Sequence, residues 1–132
     1  MTLNERSIQA LDGVHPDLVR VVYRAADITT LPFIVTEGLR DLARQRALVN
    51  AGAAQTLNSR HMTGHAVDLA PVIDGHVRWD WPLFYQLATT MEEAARIEGV
   101  PIEWGGAWVK FKDGPHWQLP RSRYPSDAQA SA

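Results

Sequence analysis

The stretch "SRHMTGHAVDLA", residues 59–70, holds two histidines, an aspartate and a glycine, and a further histidine sits downstream in "KDGPHWQL". The chain has no cysteine, so a transition metal would have to be held by histidine and carboxylate, and the search reduces to five histidines and their acidic neighbours. His61 and His65 have the spacing of the helical zinc motif H-E-x-x-H. Met62 stands where that motif needs its glutamate, however, and Gly64 disfavours the helix that would align both rings. The other grouping takes His61 with Asp68, whose neighbours on its strand face, Ala66 and Ala70, offer a carboxylate no partner. Adding His116 gives three ligands, the number a catalytic zinc uses when its fourth position is kept for water. Asp113, three residues before His116, could then take the proton of that water. The spacing alone leaves other roles open. Asp68 could be a salt-bridged strand residue, His61 a surface loop histidine, and Asp113 the first residue of an Asp-Gly turn.

Helices and strands must bring these residues together. "HPDLVRVVYRAADI" spaces Leu18, Val21, Val22 and Ala25 as one helical face, which predicts a helix over roughly 16–26. "LPFIVTEG" reads as a short strand, and "DLARQRALVNAG", with Leu42, Ala43, Arg46, Ala47 and Asn50, as a helix closed by Gly52. "HAVDLAPVI" alternates as a strand and puts Ala66, Asp68 and Ala70 on one face. "DGHVR" turns back, and "PLFYQLATTMEEAARIEG" is a helix with Leu83, Leu87, Met91, Ala94 and Ala95 on its apolar side. "PIEWGG" and "PHWQL" are short strands on either side of the loop "AWVKFKDG". Strands and helices do not alternate regularly, so the expected fold class is α+β, a small antiparallel sheet flanked by helices.

The 132 residues suit one domain over 1–120, with a flexible tail over 121–132 where small and polar residues take over. A formal charge of −2 gives no basic field for nucleic acid. There is neither a run of about 18 apolar residues nor a leader pattern at the N-terminus, so the expectation is a chain made in the cytoplasm with no membrane insertion.

"SRHMTGHAVD" followed by "EWGGAWVKFKDGPHWQL" resembles the peptidoglycan zinc peptidases. That group includes D,D-carboxypeptidases, the D-Ala-D-Ala dipeptidases of vancomycin resistance and the L-alanyl-D-glutamate endopeptidases used as phage endolysins. The likeness extends upstream through "TEGLRDLARQRALVNAG" and covers roughly residues 14–120. It implies a fold like that of D-Ala-D-Ala peptidases and hedgehog domains, one zinc per chain on His61, Asp68 and His116, and Asp113 as general base, with His65 a flanking residue. It further implies that Arg40 helps hold the substrate and the charge on the scissile carbonyl. The alternative for Arg40 is a surface arginine in a helix-leading loop. Ser59 matches the serine of the motif and either hydrogen-bonds substrate or caps the loop. Gln45 matches a recurring glutamine, or serves as packing support. Trp104, Trp108 and Trp117 read as core and pocket walls. Ala107 departs from the aspartate of the "WGGDW" usual in similar endolysins. Together the blocks favour a monomeric endolysin-type endopeptidase that cuts L-Ala–D-Glu in stem peptides, reaching the wall after release from the cytoplasm. The alternatives are a zinc D,D-carboxypeptidase and a non-catalytic wall-binding module.

Overall fold

A computed structural model describes residues 1–54 and 56–125. Helix α1 (Glu5–Ala10) is followed by α2 (Pro16–Ile28), strand β1 (Phe33–Glu37) and α3 (Leu42–Asn50). A 3₁₀ turn over Arg60–Thr63 leads into β2 (Ala66–Ile73), β3 (His76–Val77) and α4 (Trp81–Glu98). Strand β4 (Glu103–Trp104), a second 3₁₀ turn (Gly105–Ala107) and β5 (His116–Gln118) complete the order. The strands form one antiparallel sheet in the order β1-β2-β5-β4, with β3 folded back on the far end of β2. This is the α+β arrangement expected from the sequence.

Strand period divides the sheet into two chemically different faces. Val67 and Leu69 of β2 and Trp117 of β5 enter the hydrophobic core, where they meet Leu18, Val21, Val22 and Ala25 of α2 and Leu87, Met91, Ala94 and Ala95 of α4. The intervening residues, Asp68 of β2 with His116 and Gln118 of β5, occupy the opposite face. The register sets Asp68 directly across from His116 on one side and Glu37 on the other. Two ladder pairings therefore assemble the polar residues that lie far apart in sequence.

The helices at 16–28 and 81–98 form as their apolar spacing predicts, the second ending at Gly99 in the left-handed conformation. Helix α3 forms where expected but on a different face: its one buried residue is Gln45, while Leu42 is 42% exposed. It does not lie on the core, so the apolar pattern had no surface to meet. Asp41 caps it by accepting from the Arg44 amide at 2.7 Å. Helix α1 was not anticipated. Its six residues show no apolar period, and it is held by the Asn4 cap and by Ser7, whose hydroxyl accepts from the Val35 amide of β1 at 2.9 Å. Of the expected tail, residues 126–132 lie outside the described ones. Residues 121–124 form a turn from which the Tyr124 hydroxyl donates to Asp17 at 2.7 Å. Among the described residues, no helix is long and apolar enough to cross a membrane.

Candidate metal centre and active site

His61 is placed by the 3₁₀ turn before β2. The Ser59 hydroxyl caps that turn, accepting from the His61 amide at 3.2 Å, and Gly64 ends it at φ +77°. A side chain at Gly64 would be strained at that angle, and its Cβ would lie 2.4 Å from the Gly13 carbonyl oxygen. The glycine thus permits the bend between the histidine and the strand that carries Asp68. His65 is turned elsewhere, its Nδ1 2.7 Å from the Thr63 hydroxyl and its ring 5.6 Å from that of His15.

His61 and His116 each have one ring nitrogen tied to an acceptor. His61 Nδ1–H donates to the Gly38 carbonyl at 2.9 Å, which turns Nε2 toward Asp68 Oδ1 at 3.1 Å. His116 Nε2–H donates to Gln118 Oε1 at 2.8 Å, which turns Nδ1 toward the same oxygen at 3.4 Å. Gln118 is itself held, donating to Glu103 at 3.3 Å. The ligand atoms of His61, Asp68 and His116 all lie within 4.8 Å of one another. Two imidazole lone pairs and a carboxylate converging in this way repel unless a proton or a cation lies between them. This donor set, with the second nitrogen of each histidine engaged, fits a divalent metal of zinc type. Burial would raise the Asp68 carboxyl, but its bonds to His116 and His61 outweigh that effect and hold it well below the ordinary carboxylate range.

Asp113 lies in the turn before β5, its amide donating to the Gly105 carbonyl at 3.0 Å and its own carbonyl accepting from the His116 amide at 3.2 Å. The approach is close enough that a Cβ on Gly105 would meet the Asp113 carbonyl oxygen at 2.6 Å and His116 Cβ at 3.0 Å. Burial raises the Asp113 pKa, and the negative charge of Asp68 adds to the rise. A carboxyl shifted toward its neutral form is suited to carrying a proton at a reacting centre.

Arg40 is 8% exposed, which overturns the surface-loop alternative. Its Nε pairs with Glu37 at 2.7 Å, Nη1 donates to Gln45 Oε1 at 2.8 Å, and Nη2 lies 3.6 Å from Asp68 Oδ2. A network of opposite charges repays the burial of this cation. Gln45 also donates to the Thr56 carbonyl at 2.6 Å, linking α3 to the segment before His61. His61, Asp68, His116, Asp113, Arg40 and Ser59 all line one cleft of about 460 Å³. Trp108 forms part of its wall, 5.2 Å from the His116 ring, whereas Trp117 is buried in the core with Trp104 stacked on it at 5.6 Å. Ala107 is exposed. Sequence reasoning missed Gly38 and Gln118, the two acceptors that orient the rings. Gln118 was open to discovery, since strand period places it on the His116 face. A backbone carbonyl such as that of Gly38 leaves no trace in residue type.

Comparison with known proteins settles the family. The model for phage L-alanyl-D-glutamate peptidases matches residues 1–119. The chain belongs to that family. Its relatives include the L-alanyl-D-glutamate peptidase of Escherichia phage T5, 28% identical over 124 residues that cover 91% of this chain and 90% of that protein. The L-alanyl-D-glutamate peptidase of Listeria phage A118 is 33% identical over 94 residues, 71% of this chain but only 32% of that longer protein. Among solved structures, the Serratia marcescens L-Ala D-Glu endopeptidase ChiX superimposes with a TM-score of 0.89 at 50% identity, over 96% of this chain and 95% of that one. This chain and ChiX therefore share one fold.

Proposed function

We propose that this chain is a zinc-dependent endopeptidase that hydrolyses the L-Ala–D-Glu bond of peptidoglycan stem peptides and so opens the bacterial wall. The observation that carries this reading is the convergence of His61 Nε2, Asp68 Oδ1 and His116 Nδ1 in a cleft that also contains Asp113. Family membership and the names of the relatives support the choice of bond.

His61, Asp68 and His116 would hold one zinc ion. When bound, such an ion supplies Lewis acidity, polarising a carbonyl and lowering the pKa of water toward about 7. Asp113 takes a proton from the attacking water as its oxygen joins the scissile carbonyl carbon. It returns that proton to the amide nitrogen as the C–N bond breaks and then passes on the second proton of the added water, leaving a carboxylate on L-Ala and an ammonium group on D-Glu. Arg40, fixed by Glu37 and Gln45, places positive charge at the cleft wall where the carbonyl oxygen gains negative charge. Ser59 holds the turn that presents His61, and its position in the cleft lining also puts it within the substrate's surroundings. One core runs from Leu3 to Leu119, which supports a single peptidase domain over 1–120, and the candidate metal set is complete without a residue from a second copy. The site of action would be the cell wall.

A binding module would need no proton carrier beside its metal, so Asp113 also separates enzyme from binder. In purified sacculi, Asp113→Asn should retain zinc and fold while turnover drops by roughly 10²–10⁴-fold. Near-normal turnover in that variant removes Asp113 from the chemistry, and an inert wild type with zinc bound makes the chain a binder.

A further inference from the structure

The cleft has a second cationic group that the hydrolysis above does not use. Arg60, one residue before His61, lines the cleft yet is only 3% exposed. Its Nη2 donates to the carbonyls of Leu119 at 2.8 Å and Tyr124 at 2.7 Å, while its buried Nε and Nη1 have no hydrogen-bond partner. Arg121 lines the same cleft and donates to the Asn58 carbonyl at 3.2 Å. The acceptors of both guanidiniums in these bonds are backbone carbonyls, which carry no countercharge. Arg40, by contrast, is paired with Glu37. Two arginines that line one cleft, neither of them in a salt bridge among the described residues, offer a receptor for an anion.

The peptide reading of the site identifies that anion. A glutamyl residue that continues a chain through one carboxyl keeps the other free, only a few bonds from the amide nitrogen that becomes the leaving amine. Arg60 adjoins the ligand His61, and Asn58, which steadies Arg121, adjoins Ser59, so the cationic group borders the metal centre. We propose that Arg60 and Arg121 form the subsite for the free carboxylate of the glutamyl residue, an inference that rests on the peptidase reading above. Arg121 pairs with the carboxylate at the cleft surface, and Arg60 adds positive charge from beneath.

The test uses two short zinc-enzyme substrates, one with D-Glu and one with a carboxamide in place of its free carboxylate. Wild type should favour the acid by about tenfold in kcat/KM, the scale of one charged hydrogen bond at a partly exposed site. Arg121→Gln alters an exposed side chain and should keep the wild-type melting temperature. It should raise KM for the acid by about tenfold, leave kcat and the amide's KM within about twofold, and erase the preference. Equal losses on both substrates, or no loss on either, overturn the subsite. Equal cleavage of both substrates by wild type overturns it alone, whereas cleavage of neither brings down the peptidase reading and the subsite with it.

Discussion

Replacing Gln118 with leucine removes the acceptor for His116 Nε2–H while keeping the side chain close to its original size. In the native protein this 2.8 Å bond fixes both the ring plane and the tautomer, leaving Nδ1 free to face Asp68. His116 is only 6% exposed, so water is a poor replacement for the lost acceptor. The unsatisfied N–H favours transfer of the proton to Nδ1, which occupies the lone pair that a metal needs. Loss of an outer partner of a metal-binding histidine costs 10–100-fold in affinity, about 1.4–2.8 kcal/mol. Burial and the loss of the tautomer lock place Gln118→Leu near the hundredfold end of that range. His61 provides the internal contrast, because its partner is the Gly38 carbonyl, which side-chain replacement leaves in place. The assay is zinc affinity by chelator competition, with metal-free melting temperatures as a check on folding. His116→Ala should empty the site and His65→Ala should leave it intact, which calibrates the scale. Wild-type zinc affinity in Gln118→Leu, with unchanged stability, would refute the argument that this bond sets the ligand nitrogen.

Two further outcomes follow from the geometry. Gly105→Ala puts a Cβ 2.6 Å from the Asp113 carbonyl oxygen and 3.0 Å from His116 Cβ, so it should destabilise by about 1–3 kcal/mol and reduce turnover by displacing both residues. Thermal unfolding and sacculus turnover check this, and wild-type values for both would show that the approach is not tight. Asp17 is held below its ordinary pKa, first by the Tyr124 hydroxyl and then by Arg20. With the folded pKa below the unfolded one, its stabilisation is fully present above about pH 4 and is lost as pH falls through the folded value. Asp17→Asn should therefore be less stable than wild type at neutral pH, and the difference should close in acid. A difference constant from neutral to strongly acidic pH, read from urea unfolding, contradicts that role.

The sequence exposed the chemistry of the site better than its support. His61, Asp68 and His116 could be grouped from ligand type, because without cysteine only histidine and carboxylate remain and an aspartate that shares its strand face with Ala66 and Ala70 demands a partner. The antiparallel register that sets Asp68 opposite His116 was not legible, since it depends on pairing segments nearly fifty residues apart. Helices α2 and α4 were readable because each buries a continuous apolar stripe. Helix α1 was not, being six residues held by a cap and one buried serine. The sequence left a surface position open as the alternative for Arg40 for a related reason: its burial follows from Glu37, Gln45 and Asp68 meeting it, and three separate segments supply them.

The most direct measurement is mass spectrometry of peptidoglycan digested by the zinc-loaded protein. It should show new free amino groups on D-Glu, with N-acetylmuramyl-L-Ala left on the glycan and no free D-Ala. Free D-Ala as the main product would contradict the endopeptidase account and establish carboxypeptidase action at the same metal centre.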